Sequence, residues 1–179
     1  MISDRIKLLP TSLDYVSCMH DSIIGNRAEL SVFLPWVTNA LTSGDIERNT
    51  LEAIDNYKKV MGEFWFNIID IKTDEFIGAV GLIVRDRVVP YFEIGYWLIT
   101  ARTGNGYVTE AIKMIEHYAL HDLKANRLEI KMAGSNLKSR AVAERCGYQL
   151  EASLANGRRL PSGMLDSTLI YSKTSFDHA

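Results

Sequence analysis

Residues 91–119 constrain the fold of this chain more than any other stretch. Tyr91, Phe92, Ile94, Tyr96, Trp97 and Leu98 make an aromatic and aliphatic run too short for a typical helix, which predicts a strand. The run breaks over residues 100–106, where Gly104 and Gly106 stand one residue apart. Beyond the break the period changes, and Val108, Ala111, Ile112, Ile115 and Ala119 recur at helical spacing. Strand, glycine turn and helix start together suit an anion. The first turn of a helix has N–H groups without intrahelical acceptors, and the aligned peptide dipoles add partial positive charge there. Glycines let that backbone approach a bulky phosphate, because no Cβ intervenes. A phosphate-bearing cofactor on residues 103–108 is the expectation.

At 179 residues the chain is long enough for a full hydrophobic core, and residues 1–179 read as one domain. A hydrophobic share of 47% with 23% charged residues fits a soluble globular protein. The formal net charge of −2 leaves no basic footprint, which argues against a nucleic acid partner. No apolar run approaches the ~20 residues of a membrane span, and the first nine residues lack a signal-peptide core. Cys18 and Cys146 do not make a disulfide framework, so reduced thiols and a cytoplasmic location are expected.

Residues 2–9 alternate as a first strand, with Ile6 and Leu8 on one face and Pro10 ending it. Thr11 and Asp14 have capping-box spacing and open a helix carrying Leu13, Val16, Ile23, Ile24 and Leu30. A second helix starts at Thr42 with Asp45, runs to Met61 and closes at Gly62. Residues 64–70 and 76–84 are strands in hairpin fashion, and a turn at 85–87 leads into a strand over 88–98. After the helix at 108–119 come a strand at 127–132, a helix from Asn136 to Cys146 stopped by Gly147, and strands at 148–152 and 164–172. The predicted order is βααβββαβαββ.

Two common phosphate loops do not fit. A Walker loop ends Gly-Lys-Ser/Thr, whereas Gly106 is followed by Tyr107 and Val108; a dinucleotide fingerprint needs a third glycine where Thr109 stands. The antiparallel strand order also disfavours a dinucleotide-binding oxidoreductase. The run Thr103, Gly104, Asn105, Gly106, Tyr107, Val108 instead resembles the acetyl-coenzyme A (acetyl-CoA) loop of the GNAT acetyltransferases, Q/R-x-x-G-x-G/A. Thr103 replaces the Gln or Arg, and Val108 replaces the small last residue. The flanking EIGYWL and GYVTEA are similar to the Rim-type branch, the ribosomal-protein N-acetyltransferases. About 30 residues on, Asn136, Ser139, Val142, Glu144, Arg145, Gly147 and Tyr148 resemble that branch's N-x-x-S-x-x-V-x-E-(K/R)-x-G-(F/Y) segment. Asn26 and Leu30, with Leu34, Pro35 and Trp36, resemble its acceptor-side segment N-x-x-x-L…W, and Gly163, Asp166 and Tyr171 echo its C-terminal pattern.

The resemblance implies a GNAT fold: an α/β (α+β) domain whose mixed, mostly antiparallel central sheet has helices on both sides. It implies acetyl-CoA as cofactor, with Thr103, Gly104, Asn105, Gly106, Tyr107, Val108 and Thr109 around the pyrophosphate. Pantetheine is expected between the strand carrying Tyr96, Trp97 and Leu98 and the strand at 127–132, with Asn136 and Ser139 beside it. An amine would attack the acetyl thioester directly in a ternary complex, with a backbone N–H of Tyr96 or Trp97 holding the oxyanion. The departing thiol has a pKa of about 8.5, so a nearby hydroxyl such as that of Ser139 helps it leave. Asn136 as a helix N-cap and Ser139 as a first-turn polar residue are the local alternatives. Leu34 and Trp36 are expected on the acceptor side, or Trp36 covers the core edge.

The acceptor implied is a protein N-terminus, with a homodimer allowed for. A small amine (polyamine, amino acid or aminoglycoside) and a non-catalytic acyl-CoA sensor are the alternatives. An α-amino group of pKa ~8 is roughly one-tenth neutral at pH 7, whereas a lysine near 10.4 is neutral in well under one part in a thousand. A modest base therefore suffices for an N-terminus. Glu93 is the candidate, since alternation puts it on one face with Gly95 and Trp97, though a neighbouring strand or arginine could equally satisfy it. Glu116, His117 and His121 read E-H-x-x-x-H rather than H-E-x-x-H, so no metal is expected. Cys146, beside a glycine at a helix end, reads as a buried structural thiol. Arg158 and Arg159 read as a solvated basic pair in a loop.

Overall fold

The computed structural model describes residues 1–174. Seven strands form one sheet in the order β1-β2-β3-β4-β5-β7-β6. The first four, β1 (Ile6–Pro10), β2 (Glu63–Asp70), β3 (Phe76–Asp86) and β4 (Tyr91–Leu98), pair antiparallel in chain order. β5 (Arg127–Ala133) is parallel to β4, and β7 (Leu165–Lys173) and the edge strand β6 (Gln149–Arg159) extend the sheet antiparallel. The helices are α1 (Val16–Gly25), α2 (Arg27–Leu30), α3 (Ser43–Lys59), α4 (Tyr107–His121) and α5 (Leu137–Arg145). The expected mixed, mostly antiparallel sheet is therefore present.

Two apolar clusters hold the helices to the sheet. Phe64, Phe66, Phe92, Ile94 and Leu98 pack with Ile112, Ile115 and Ala119 of α4 in the main core. Phe76 and Trp97 instead join Met19 and Ile23 of α1, Val37, and Ile46 of α3 in a smaller one, and Trp65 packs against both. The even positions of β4 thus face α4, and Trp97 faces α1. Ile112 and Ile115 are fully buried, and burying a side chain of this size stabilises by about 1.5–3 kcal/mol, which fixes α4 and its first turn. At the start of α3 the Thr42–Asp45 capping box forms as expected.

Several boundaries differ from the sequence reading. Val88 and Val89 are 92% and 58% exposed and belong to the turn before β4, where Asp86 Oδ1 accepts from both N–H groups (2.7 and 3.0 Å). Pro10 lies inside β1, on the sheet edge opposite Phe66, where a missing N–H is tolerated. The box expected of Thr11 and Asp14 does not form; Ser12 is the N-cap of a 3₁₀ turn at Leu13–Tyr15, without a side-chain bond. The long first helix breaks at Asn26 into α1 and α2. α3 ends at Lys59 because Val60 turns left-handed (φ 49°), two residues before Gly62. β6 runs seven residues past its expected end at 152, reaching Arg159; it is exposed along almost its whole length, so no hydrophobic alternation marks it.

Candidate active site

The chain leaves β4 through a 3₁₀ turn at Thr100–Arg102 and enters α4 at Tyr107. Gly104 (φ 80°) and Gly106 (φ 81°) are both left-handed, and Gly106 is the N-cap of α4 with no side-chain cap. The first intrahelical bond is from Glu110 N–H to Gly106 O (3.0 Å). None of the six N–H groups of residues 104–109 meets a protein acceptor among the described residues. Six unspent donors at a helix start form an anion cradle. Nothing lies within 4 Å of where a Cβ on Gly104 would stand, so the cradle is open.

Neighbouring side chains fasten this loop. Arg5 donates to Asn105 O (2.8 Å) and to Glu110 (Nε 2.8 Å, Nη2 2.5 Å). Arg102 pairs with Asp70 (3.2 Å) and Glu75 (2.5 Å), and Tyr107 OH donates to Asp70 (2.9 Å). Asn26 Oδ1 accepts from Thr100 N–H (2.7 Å). Thr103 donates its hydroxyl to Thr100 O (2.8 Å), and Val108 packs on the main core. The two residues that depart from the family loop are thus absorbed by the scaffold.

β4 and β5 pair at only three positions, Tyr91–Arg127, Phe92–Leu128 and Glu93–Glu129. β4 continues to Leu98 and β5 to Ala133, so the strands part after Glu93. Ile99 N–H donates to Ile77 O (2.9 Å). Alternation then turns the Trp97 amide toward β3 and leaves those of Tyr96 and Leu98 on the gap. The Trp97 carbonyl agrees, lying 2.3 Å from where a Cβ on Gly78 of β3 would stand. Across the gap Asn136 caps α5 by accepting from Ser139 N–H (3.1 Å). Ser139 Oγ lies 2.8 Å from Tyr96 OH. Burial raises the Tyr96 pKa to about 12, with the Ser139 bond opposing, so the phenol keeps its proton at neutral pH.

On the α1 face of β4 lies a cavity of about 650 Å³. Gly81 and Gly95, paired across β3 and β4, line it without side chains. Phe33, Leu34, Trp36 and Trp97 form an apolar wall, with the Trp36 and Trp97 rings 6.4 Å apart. Glu52, Glu63, Glu93, Lys131 and Arg158 supply the charge. Glu93 Oε2 accepts from Arg85 (Nε 3.0 Å, Nη2 2.7 Å) and pairs with Lys131 (3.2 Å). Its Oε1 has no protein partner among the described residues. Burial pushes the Glu63 carboxyl up, with the charges of Glu93 and Glu52 adding and Arg85 opposing.

Residues 5–149 match the family model for the acetyltransferase (GNAT) domain. This chain belongs to the GNAT acetyltransferase family. It is 31% identical over 153 residues to YdaF of Bacillus subtilis, a candidate ribosomal N-acetyltransferase, spanning 84% of this chain and 80% of that one. It is 25% identical over 172 residues to the ribosomal-protein-serine acetyltransferase of Escherichia coli, spanning 94% and 92%. A match of 38% identity to YjcK of Bacillus subtilis, a candidate N-acetyltransferase, spans half of each chain. The solved structure of the microcin C7 self-immunity acetyltransferase MccE with acetyl-CoA and AMP superposes with a TM-score of 0.85 at 30% identity, covering 97% of this chain and 94% of that one.

As a GNAT enzyme the protein is an N-acetyltransferase that uses acetyl-CoA. The open amide cradle and the parted strands fit that cofactor at its two ends. Most sequence-derived site residues meet at these features: 104–109 form the cradle, with Thr103 bonded back to Thr100 just before it, Tyr96, Leu98 and Ser139 border the gap, and Glu93, Leu34 and Trp36 line the cavity. Asn136 is the helix cap that holds Ser139 there. The rings of His117 and His121 lie 4.1 Å apart, tilted by 43°, on an exposed face of α4, away from these features. Cys146 is buried, and burial pushes its thiol up to about 11. Arg158, read from sequence as a solvated loop residue, is a half-buried β6 residue in the cavity. Arg5, Arg85, Arg102 and Lys131 carried no local motif. Their roles come from partners distant in sequence or on a neighbouring strand, except that Lys131 alternates with Glu129 on one strand.

Proposed function

We propose that this protein acetylates the N-terminal α-amine of a protein, with a ribosomal protein as the acceptor class and the cytoplasm as its location. The observation that carries this reading is the split after Glu93, with the amide cradle beyond the end of β4, the Tyr96–Ser139 pair at the gap and the free Oε1 of Glu93 in the cavity that Tyr96 also lines. Two relatives named for ribosomal substrates support the acceptor class. Acetyl-CoA supplies the acetyl thioester. The six amides and the α4 dipole hold the diphosphate, and the gap-facing amide N–H of Leu98 pairs with pantetheine. Arg85 and Lys131 fix Glu93 by one oxygen, so Oε1 takes the proton of the acceptor ammonium, directly or through water. The Tyr96 N–H stabilises charge developing on the acetyl oxygen. Ser139 Oγ, hydrogen-bonded to Tyr96, holds a proton where the leaving group's charge gathers. Leu34 and Trp36 wall the acceptor's first residues.

Free-thiol release from acetyl-CoA, with N-terminal peptides and small amines, tests this. Ser- or Ala-starting peptides should turn over with their lysines blocked, and Glu93→Gln should lower the rate by about 10²–10⁴. A second reading, a small polycation as acceptor, has in its favour that Glu52 and Glu63 line the cavity and form no ion pair among the described residues. Turnover with polyamines alone would select it. Cofactor binding without turnover on any amine would favour a sensor, and no cofactor binding would sink the whole reading.

A further inference from the structure

Unusual backbone geometry places Arg158 in the acceptor cavity. β6 pairs Leu154 with Thr168 and then Arg158 with Asp166, so Ala155, Asn156 and Gly157 stand opposite Ser167 alone. Asn156 is left-handed (φ 52°), and a Cβ on Gly157 would come within 2.9 Å of Leu154 Cβ and O. A bulge of this kind re-aims the side chain that follows it. Along β6 only Ala152 and Arg158 are not exposed, and Arg158 lines the cavity with Glu93 and Lys131.

The guanidinium there is largely unspent. Nε donates to Thr168 Oγ1 (3.1 Å), while the two NH₂ groups have no acceptor and no ion pair among the described residues. The other cations near Glu93 are taken: Arg85 by Glu93, and Lys131 by Glu93 and Glu129. Asp166, opposite Arg158 in the register, is turned to Ser135, accepting from its N–H (3.1 Å) and hydroxyl (2.6 Å). Burial pushes the Arg158 pKa down, with Glu93 and Asp166 opposing. A half-buried charge with unmatched donors is costly until something fills them. A planar fork of N–H donors is matched by a carboxylate.

We infer that Arg158 is a specificity-determining residue that binds a carboxylate of the acceptor, close to the amine that reacts. The inference rests on the acceptor reading proposed above. In a protein N-terminus the carboxylate is an Asp or Glu side chain within the first few residues; in a small acceptor it is the molecule's own.

Two series of acceptors distinguish these sources. One is a set of short peptides starting with Ser, carrying Glu or Gln at the second, third or fourth place; the other is amino acids against their amides. Dissociation constants are read from tryptophan fluorescence on the CoA-saturated protein, and kcat/KM from thiol release. At one position the wild type should prefer carboxylate to amide by about ten- to a hundredfold. Arg158→Gln should reduce that ratio below about twofold, and Arg158→Lys should keep part of it, as a charge without the fork. Melting temperature and CoA affinity are the controls for both variants. Thr168→Val, which removes the Nε anchor and leaves the charge, should weaken the preference severalfold and serves if Arg158→Gln does not fold. A preference seen only with amino acids would support the site and assign it to a small acceptor. Carboxylate preference in binding with no thiol release would remove the proposed function and leave the role of Arg158 standing. Equal binding of acid and amide in both series, or a preference that survives in Arg158→Gln, would overturn the inference.

Discussion

Gly106→Ala tests the cradle at its most constrained point. Gly106 is at φ 81°, and its new Cβ would meet only Arg5 Nη2, at 3.5 Å, an ordinary contact. The perturbation is therefore of the backbone, and holding an L-residue left-handed costs roughly 1–2 kcal/mol. The protein can take that cost in two ways. If the loop of the free protein relaxes, the amides turn away, the cofactor must restore them, and CoA affinity falls by about 5- to 30-fold. If the Arg5–Asn105 and Tyr107–Asp70 bonds hold the loop, affinity stays and the free protein loses the same energy, about 2–8 °C in melting temperature. The two losses add, because both are measured against one bound state. Calorimetric titration with CoA, paired with unfolding of the free variant, gives the sum. A sum near zero would mean that Gly106 is not left-handed when the cofactor is held, and the cradle argument would fail. Gly104→Ala, at φ 80° with no neighbour within 4 Å, should behave the same way.

Gly95→Val should leave stability unchanged, since nothing stands within 4 Å of its Cβ, yet fill part of the cavity. It should lower kcat/KM for the acceptor by about tenfold or more while the KM for acetyl-CoA stays within about twofold; equal changes in both would contradict the assignment of the cavity to the acceptor. The Asp45 carboxyl is held at about 2 by bonds from the Thr42 hydroxyl and N–H and from Arg48. Its folded pKa is depressed, so its contribution is present above the usual value of 3.8 and is lost as pH falls toward 2. Asp45→Asn should therefore flatten the acid limb of stability between about pH 4 and 2, read from urea midpoints.

What the sequence revealed, and what it hid, follows from the range of the interactions. The glycine loop, the Thr42 box and the Asn136 cap are local, each made within a few residues, and each was readable. Val88 and Val89 misled because an apolar residue is not obliged to be inside; Asp86 turns the chain there instead. β6 was cut short because a strand in solvent on both faces has no alternation to read. Arg158 was lost for the same reason, with a bulge added that shifts its register. The environment of Glu93 was hidden because Arg85 and Lys131 reach it from neighbouring strands. Only one of the two backbone donors expected at Tyr96 and Trp97 lies on the gap, a choice of strand phase that needs the partner strand to be known.

The three-pair contact between β4 and β5 makes the sheet two half-sheets, one of four strands and one of three, with a short seam. Along the rest of β4 the edge that faces β5 has no strand to lean on, so the hydrogen bonds of the two halves are not one continuous cooperative lattice. On the proposed placement of the cofactor, a pantetheine chain laid in the split would supply the missing rung. On that placement the cofactor would also be a building element, its arrival joining two mechanical bodies into one. The same event that loads the acetyl group would then stiffen the wall of the cavity proposed for the acceptor.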